Sequence, residues 1–130
     1  MASFERKIDQ EAQFTVIKIS GDIRPGEILA WAEQSGHDQR TRLVLWDLTD
    51  STWSGIPTNI LMRNFSTAQK YVKPGYRTAF VVNSEVDYGL GRIIENMMEA
   101  SEFTADYRPF LSLEKARDWL LQKNPTPGAD

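Results

Sequence analysis

The sequence predicts an α/β domain: a mixed, mainly parallel sheet of five strands with four helices, in the order ββαβαβαβα. Three observations lead there. The runs Leu43-Val44-Leu45-Trp46 and Thr78-Ala79-Phe80-Val81-Val82 are apolar without alternation, as strands covered on both faces are. Segments of helical periodicity follow each of them, which calls for crossover connections and parallel neighbours, right-handed as such crossovers almost always are. Ahead of these units lie two short strand-like segments with no helix between them, so the first is expected to pair antiparallel with the second.

The first segment is Phe4 to Ile8. In the second, Phe14 to Ile19, residues Thr15, Ile17 and Ile19 alternate with Phe14, Val16 and Lys18. Asp9-Gln10-Glu11-Ala12 turns between them. Gly21 to Gly26 breaks the pattern, and Pro25 suits the first turn of a helix with Ile28, Leu29 and Ala32 on its apolar face. Gly36 is placed to end that helix.

After the central strand comes the polar stretch Asp47 to Gly55, then a helix from about Pro57 to Tyr71 carrying Ile60, Leu61, Phe65, Ala68 and Val72 at helical spacing. Ser54 is its candidate N-cap. Pro74-Gly75 supplies a turn before the second apolar strand. Ser84 caps a third helix, on which Val86, Leu90, Ile93, Ile94, Met97 and Met98 form a stripe. Phe103, Ala105 and Tyr107 alternate as the last strand, and Ser112 caps a final helix bearing Leu113, Ala116, Trp119 and Leu120. One domain over residues 1–123 and a frayed tail over 124–130, with Pro125, Pro127 and Gly128, account for the chain.

Composition narrows the function. At 130 residues, 41% hydrophobic and 25% charged, the chain can bury a core and lacks the make-up of a disordered segment. A net charge of −3 and the lack of basic clusters argue against nucleic-acid binding by attraction to phosphates. Cysteine is absent, which removes disulfides, thiolate metal sites and a cysteine nucleophile. A single histidine, His37, sits in a polar stretch and reads as a solvated surface residue. No run reaches the roughly 18 apolar residues of a membrane span, and the start has no signal-peptide core. The expectation is a cytoplasmic protein with no membrane insertion and no cofactor.

In an open α/β sheet, ligands gather beyond the carboxyl ends of the strands. That selects residues 21–26, 47–55 and 83–87. The richest is 47–55, with Asp47, Asp50, Ser51, Trp53 and Ser54 ahead of a helix start that would stabilise a phosphoryl group on Ser54 or Ser51. The same serines and aspartates also serve as a cap and a turn, so both readings stand. Trp53 is either an exposed anchor for a partner or a cover over the sheet end. Asp47 and Asp50 are close enough for a paired-carboxylate or magnesium site, but no third ligand is evident.

Elsewhere, Met62 and Phe65 on the second helix and Tyr88, Arg92, Met97 and Met98 on the third either line an adaptable apolar ligand pocket or pack as core. Gly89-Leu90-Gly91 lacks the third glycine and the preceding strand of a nucleotide loop. Asn64-Phe65-Ser66 matches the glycosylation acceptor pattern and is expected to be silent. A hydrolase or phosphotransferase built on Asp47, Asp50 and Ser54 would lack a suitable base and a phosphate-cradling loop. Trp31 or Trp53 could instead form a homodimer contact.

Several segments resemble the SpoIIAA-like family, related to STAS domains (sulphate transporter and anti-sigma factor antagonist), over about Phe14 to Leu121. Val16-Ile17-Lys18-Ile19-Ser20-Gly21-Asp22-Ile23 resembles the family's second strand, and Val44-Leu45-Trp46-Asp47-Leu48 its central strand ending in aspartate. Phe110 to Leu120, with Glu114, Ala116, Trp119 and Leu120, resembles its closing strand-to-helix segment. The resemblance implies the single-domain SpoIIAA-like (STAS-like) fold. In the anti-sigma antagonist branch it implies a phosphorylatable serine opening the second helix and controlling a protein partner. Ser54-Gly55-Ile56 matches the end of that motif, whereas Trp53 stands where a serine or aspartate is expected. Stand-alone SpoIIAA-like proteins are grouped with Sec14-type lipid-binding domains, which implies an apolar ligand. The expected function is thus a non-enzymatic regulatory or protein-interaction module, or alternatively a carrier of a small apolar ligand between the second and third helices.

Overall fold

The computed structural model describes residues 3–9, 14–38, 41–53, 55–68, 75–100 and 106–122. The elements run β1 (Ser3–Asp9), β2 (Phe14–Asp22), α1 (Glu27–Asp38), β3 (Leu43–Thr52), α2 (Thr58–Ala68), β4 (Arg77–Val81), α3 (Glu85–Ala100), β5 (Asp106–Phe110) and α4 (Leu113–Leu121). They form the predicted order. The five strands lie side by side as β1-β2-β3-β4-β5, with β1 antiparallel to β2 and every other pair parallel.

Sequential parallel strands joined by crossovers of one hand must place every crossover helix on one face. Accordingly α1, α2 and α3 bury Ile28, Trp31, Leu61, Phe65, Ile94 and Met98 in one core with Ile17, Ile19, Val44, Leu48, Phe80 and Val82 of the sheet. Helix α4 has no strand after it and takes the opposite face. There Ala116, Trp119 and Leu120 pack on Phe14, Leu43, Leu45, Ala79 and Val81. Side chains alternate across a strand, which is why Leu43 and Leu45 face α4 while Val44 and Leu48 face the other layer. Both β3 and β4 are thus covered on both sides, as their unbroken apolar runs predict.

Arg77, buried on β4, donates from Nη1 to the carbonyls of Trp119 (3.0 Å) and Leu120 (3.3 Å). Both are end-of-helix carbonyls, and that of Trp119 also accepts from the Gln122 amide at 3.4 Å, so the guanidinium adds a second tie and fastens α4 to the sheet. Burial, reinforced by nearby Arg42 and opposed by Asp106, holds its pKa below the ordinary arginine value. Ser112 caps α4 as expected, accepting from the Lys115 amide. Ser84 does the same for α3 through the Asp87 amide at 3.1 Å.

Several boundaries move. Helix α1 continues through Gly36 and His37 to Asp38, because a helix on a packed face tolerates a glycine near its end. Strands β2 and β3 extend to Asp22 and Thr52, carried by their continued mutual pairing past a bulge at Lys18/Ser20. Helix α2 begins at Thr58, and the Pro57 carbonyl accepts from Leu61 at 3.0 Å. The cap position therefore falls to Pro57, and Ser54, the candidate N-cap, lies outside the described residues. The α3 stripe splits: Ile94 and Met98 are buried, whereas Val86 (65% exposed) and Ile93 (45%) face outward. The predicted end of the second helix at Tyr71 and Val72, the strand positions Phe103 and Ala105, and the tail 124–130 lie outside the described residues.

Trp31 is buried and stacks on Phe4 with ring centroids 5.9 Å apart. Its ring locks β1 against α1, so it offers no homodimer contact. Asn64 is also buried, which shields the Asn64-Phe65-Ser66 sequence from modification.

Candidate functional site

Beyond α4, the uncovered face of the sheet is polar, and at its carboxyl end β2 and β3 bring Lys18, Asp47, Thr49 and Asp50 together. Lys18 Nζ lies 3.3 Å from Asp47 Oδ2, 3.0 Å from Asp50 Oδ2 and 3.2 Å from Thr49 Oγ1. Asp47 also accepts from the Thr49 amide at 3.0 Å and its hydroxyl at 2.6 Å. Burial alone would raise the Asp47 pKa, but these bonds and Lys18 more than offset it and hold the carboxyl below its ordinary value. Burial would likewise lower Lys18, and its bonds to Asp50 and Asp47 outweigh that, raising it. The two aspartates are committed to one lysine. That arrangement leaves neither poised as a general base, and among the described residues no group of three His, Asp or Glu side chains could hold a metal.

One residue further along, β3 is tied to the start of α3. Asn83 Nδ2 donates to the Thr49 carbonyl at 2.7 Å, Thr52 Oγ1 donates to Asp87 Oδ1 at 3.0 Å, and Trp53 Nε1 donates to the Asp87 carbonyl at 3.1 Å. Trp53 is 2% exposed, with edge contacts to Phe65 and Phe80 at centroid distances of 5.8 and 5.4 Å. It covers the sheet end, which corrects the reading of Trp53 as an exposed partner anchor. Ser51 is 6% exposed and donates its hydroxyl to the Leu48 carbonyl at 3.3 Å. A kinase could not reach it without unfolding the strand end, so Ser51 is corrected as a switch candidate.

Ser54 lies outside the described residues. The described residues nearest to it in sequence include Trp53 and Ile56, which are joined to each other. Ile56 donates its amide to the Trp53 carbonyl at 3.0 Å, and the side chains of Trp53 and Ile56 are both buried. Gly55, Pro57 and Thr58 are exposed.

The six pocket candidates do not converge between α2 and α3. Phe65 and Met98 are buried core, and Met62 and Met97 are half-buried against it. Phe65 packs edge-on to Phe80 and Tyr107, so its ring fills the space a ligand would need. Tyr88 and Arg92 instead line a groove of about 730 Å³ on the other side of α3, between α3 and α4 along β5. There the third helix's Glu95, 4% exposed, makes a pairing that the sequence does not announce: it binds Arg92 Nη1 through Oε1 at 2.6 Å and Arg108 Nε through Oε2 at 3.3 Å. The Arg92/Glu95 spacing on one helix face was the only signal for it. Burial pushes the Glu95 carboxyl above its ordinary value, and the two arginines pull it down only in part.

No protein-family model and no curated protein matches the sequence. The chain is similar in structure to an anti-sigma factor antagonist from Mycobacterium paratuberculosis, with a TM-score of 0.67 and 9% identity over 94% of this chain and 96% of that one. It is also similar to an uncharacterised protein with a SpoIIAA-like fold from Shewanella loihica, with a TM-score of 0.56 and 14% identity over 92% and 93% of the two chains. The architecture is the SpoIIAA-like fold.

Proposed function

We propose that this chain is a non-enzymatic regulatory module that binds a protein partner at the carboxyl end of the sheet and the start of α2, controlled by phosphorylation of Ser54. The observation that carries the reading is the double anchor of Trp53 and Ile56, buried side chains joined by a backbone hydrogen bond on either side of Ser54. A serine between two fixed points ahead of a helix start can gain a phosphoryl group at little cost to the core. The fold shared with an anti-sigma factor antagonist supports a protein as the partner. The commitment of Asp47 and Asp50 to Lys18 supports binding over catalysis. No described helix is long and apolar enough to cross a membrane, and we place the module in the cytoplasm.

The test is mass spectrometry of the protein purified from its own host, followed by capture of the partner with wild type and with Ser54→Asp. A phosphoryl mass mapped to Ser54, and a captured partner that Ser54→Asp releases while the far-ultraviolet spectrum is unchanged, are the expected results. Equal capture by both proteins would remove the switch.

A further inference from the structure

None of the residues at the start of α2 lines the groove between α3 and α4. Its walls are Tyr88 and Arg92 of α3 and Lys115 and Trp119 of α4, and Arg108 and Phe110 of β5 form its floor. On a chain of net charge −3, its lining carries three cations and one carboxylate, Asp118. Two of the cations are held in place. Glu95 grips Arg92 and Arg108 from behind, and the Arg108 guanidinium carbon sits 5.5 Å from the centre of the Trp119 ring. Side chains fixed this way lose little freedom when they bind an anion.

The groove runs along the outer edge of β5, where an extended peptide would ordinarily add a strand. Asp106 donates its amide to Tyr76 and Phe110 accepts from Val82, both at 2.9 Å, so residues 106, 108 and 110 turn their main chain toward β4. Residues 107 and 109 turn theirs outward. Position 109 is proline and has no N–H, which interrupts strand addition at the middle of the edge. An occupant must therefore be recognised by side chains. Leu111, 52% exposed, lines the same groove and supplies an apolar contact beside the cations.

We propose that this groove docks an acidic segment of a protein partner, its carboxylates on Arg92, Arg108 and Lys115 and an apolar side chain against Leu111 and Phe110. The contact is separate from the one proposed around Ser54.

The probe is a fluorescein-labelled peptide, Glu-Leu-Asp-Phe-Glu-Asp-Leu-Glu, titrated against the full chain by anisotropy and amide NMR, with its lysine-substituted counterpart as control. The expected result is binding of the acidic peptide only, weakening with salt, with shifts at Arg92, Arg108, Ser112 and Lys115. Lys115→Glu, an exposed position, should weaken it about tenfold or more, and Arg92→Ala about tenfold, the loss of one charge-assisted bond. Ser54→Asp should leave it unchanged, which separates this contact from the phosphorylation switch. Absence of binding, equal binding of the basic peptide, or an unchanged affinity for Lys115→Glu would overturn the proposal. So would citrate reproducing the same shifts and displacing the peptide at matching concentration, since the groove would then hold small anions.

Discussion

Gly91 of α3 lies directly on Pro109 of β5: a Cβ built at Gly91 would sit 2.6 Å from Pro109 Cβ, 3.1 Å from Cγ and 3.6 Å from the Trp53 ring. The proline ring is part of a paired strand and cannot swing aside. Gly89, two residues earlier on the same helix, has nothing within 4 Å of the corresponding point. The pair therefore responds oppositely to the same change. Gly91→Ala overpacks the interface and is expected to cost about 1–3 kcal/mol, whereas Gly89→Ala removes only backbone freedom and should gain about 0.5–1 kcal/mol. Urea denaturation checks both, as a lower midpoint for the first and a higher one for the second, with slopes unchanged.

Arg77 gives a prediction local to α4. Replacing it with Met keeps the apolar stem in place but withdraws the donor shared by the Trp119 and Leu120 carbonyls. The expected loss is about 1–3 kcal/mol, since the Leu120 carbonyl loses this donor and the Trp119 carbonyl keeps only the bond from the Gln122 amide. Amide hydrogen exchange should accelerate first over Leu113–Leu121, before any change in β2 or β3. Uniform acceleration across the sheet would mean that α4 has no independent attachment at Arg77.

Trp53 joins the end of β3 to the start of α3 through one bond and two aromatic contacts. Trp53→Phe keeps an aromatic ring but removes the indole donor to the Asp87 carbonyl and opens space beside Phe65 and Phe80. A loss of about 1–3 kcal/mol follows from the lost hydrogen bond and the smaller ring. Because the same residue anchors one side of Ser54, the variant should also speed exchange of the Ile56 amide, which now bonds to the Trp53 carbonyl.

What could be read from the sequence follows the range of the interactions involved. The unbroken apolar runs of β3 and β4 and the alternation of β2 depend on periodicity alone, and they placed the sheet correctly. Ser84 and Ser112 were legible as caps because the bond they make spans three residues. Trp53 stayed ambiguous, since its burial rests on Phe65, Phe80 and Asp87, brought to it only by the fold. Lys18 was passed over as the polar side of an alternating strand. Its pairing with Asp47 and Asp50 is set by the β2–β3 register, which no local pattern encodes. The pocket reading failed for the related reason that Phe65 and Met98 lie on the core-facing side of helices whose stripes are wider than the buried strip.

Glu95 and Asp47 predict opposite pH dependences in neighbouring windows. Burial raises the folded-state pKa of Glu95, with Arg92 and Arg108 offsetting it only in part. The folded protein then binds a proton that the unfolded chain releases between the ordinary carboxyl value of 4.5 and the raised one, so stability falls as pH rises through that window. Asp47 has a lowered folded pKa, so its contribution is present above the unfolded value of 3.8 and is lost as pH falls below it. The stability of the wild type should therefore pass through a maximum in weak acid, above the Asp47 loss and below the Glu95 penalty. Glu95→Gln removes the titrating group and should flatten the decline on the neutral side while leaving the acid limb in place. Asp47→Asn should do the reverse. Urea midpoints measured from pH 3 to pH 8 separate the two, and a neutral-side decline that survives Glu95→Gln would assign it to another group.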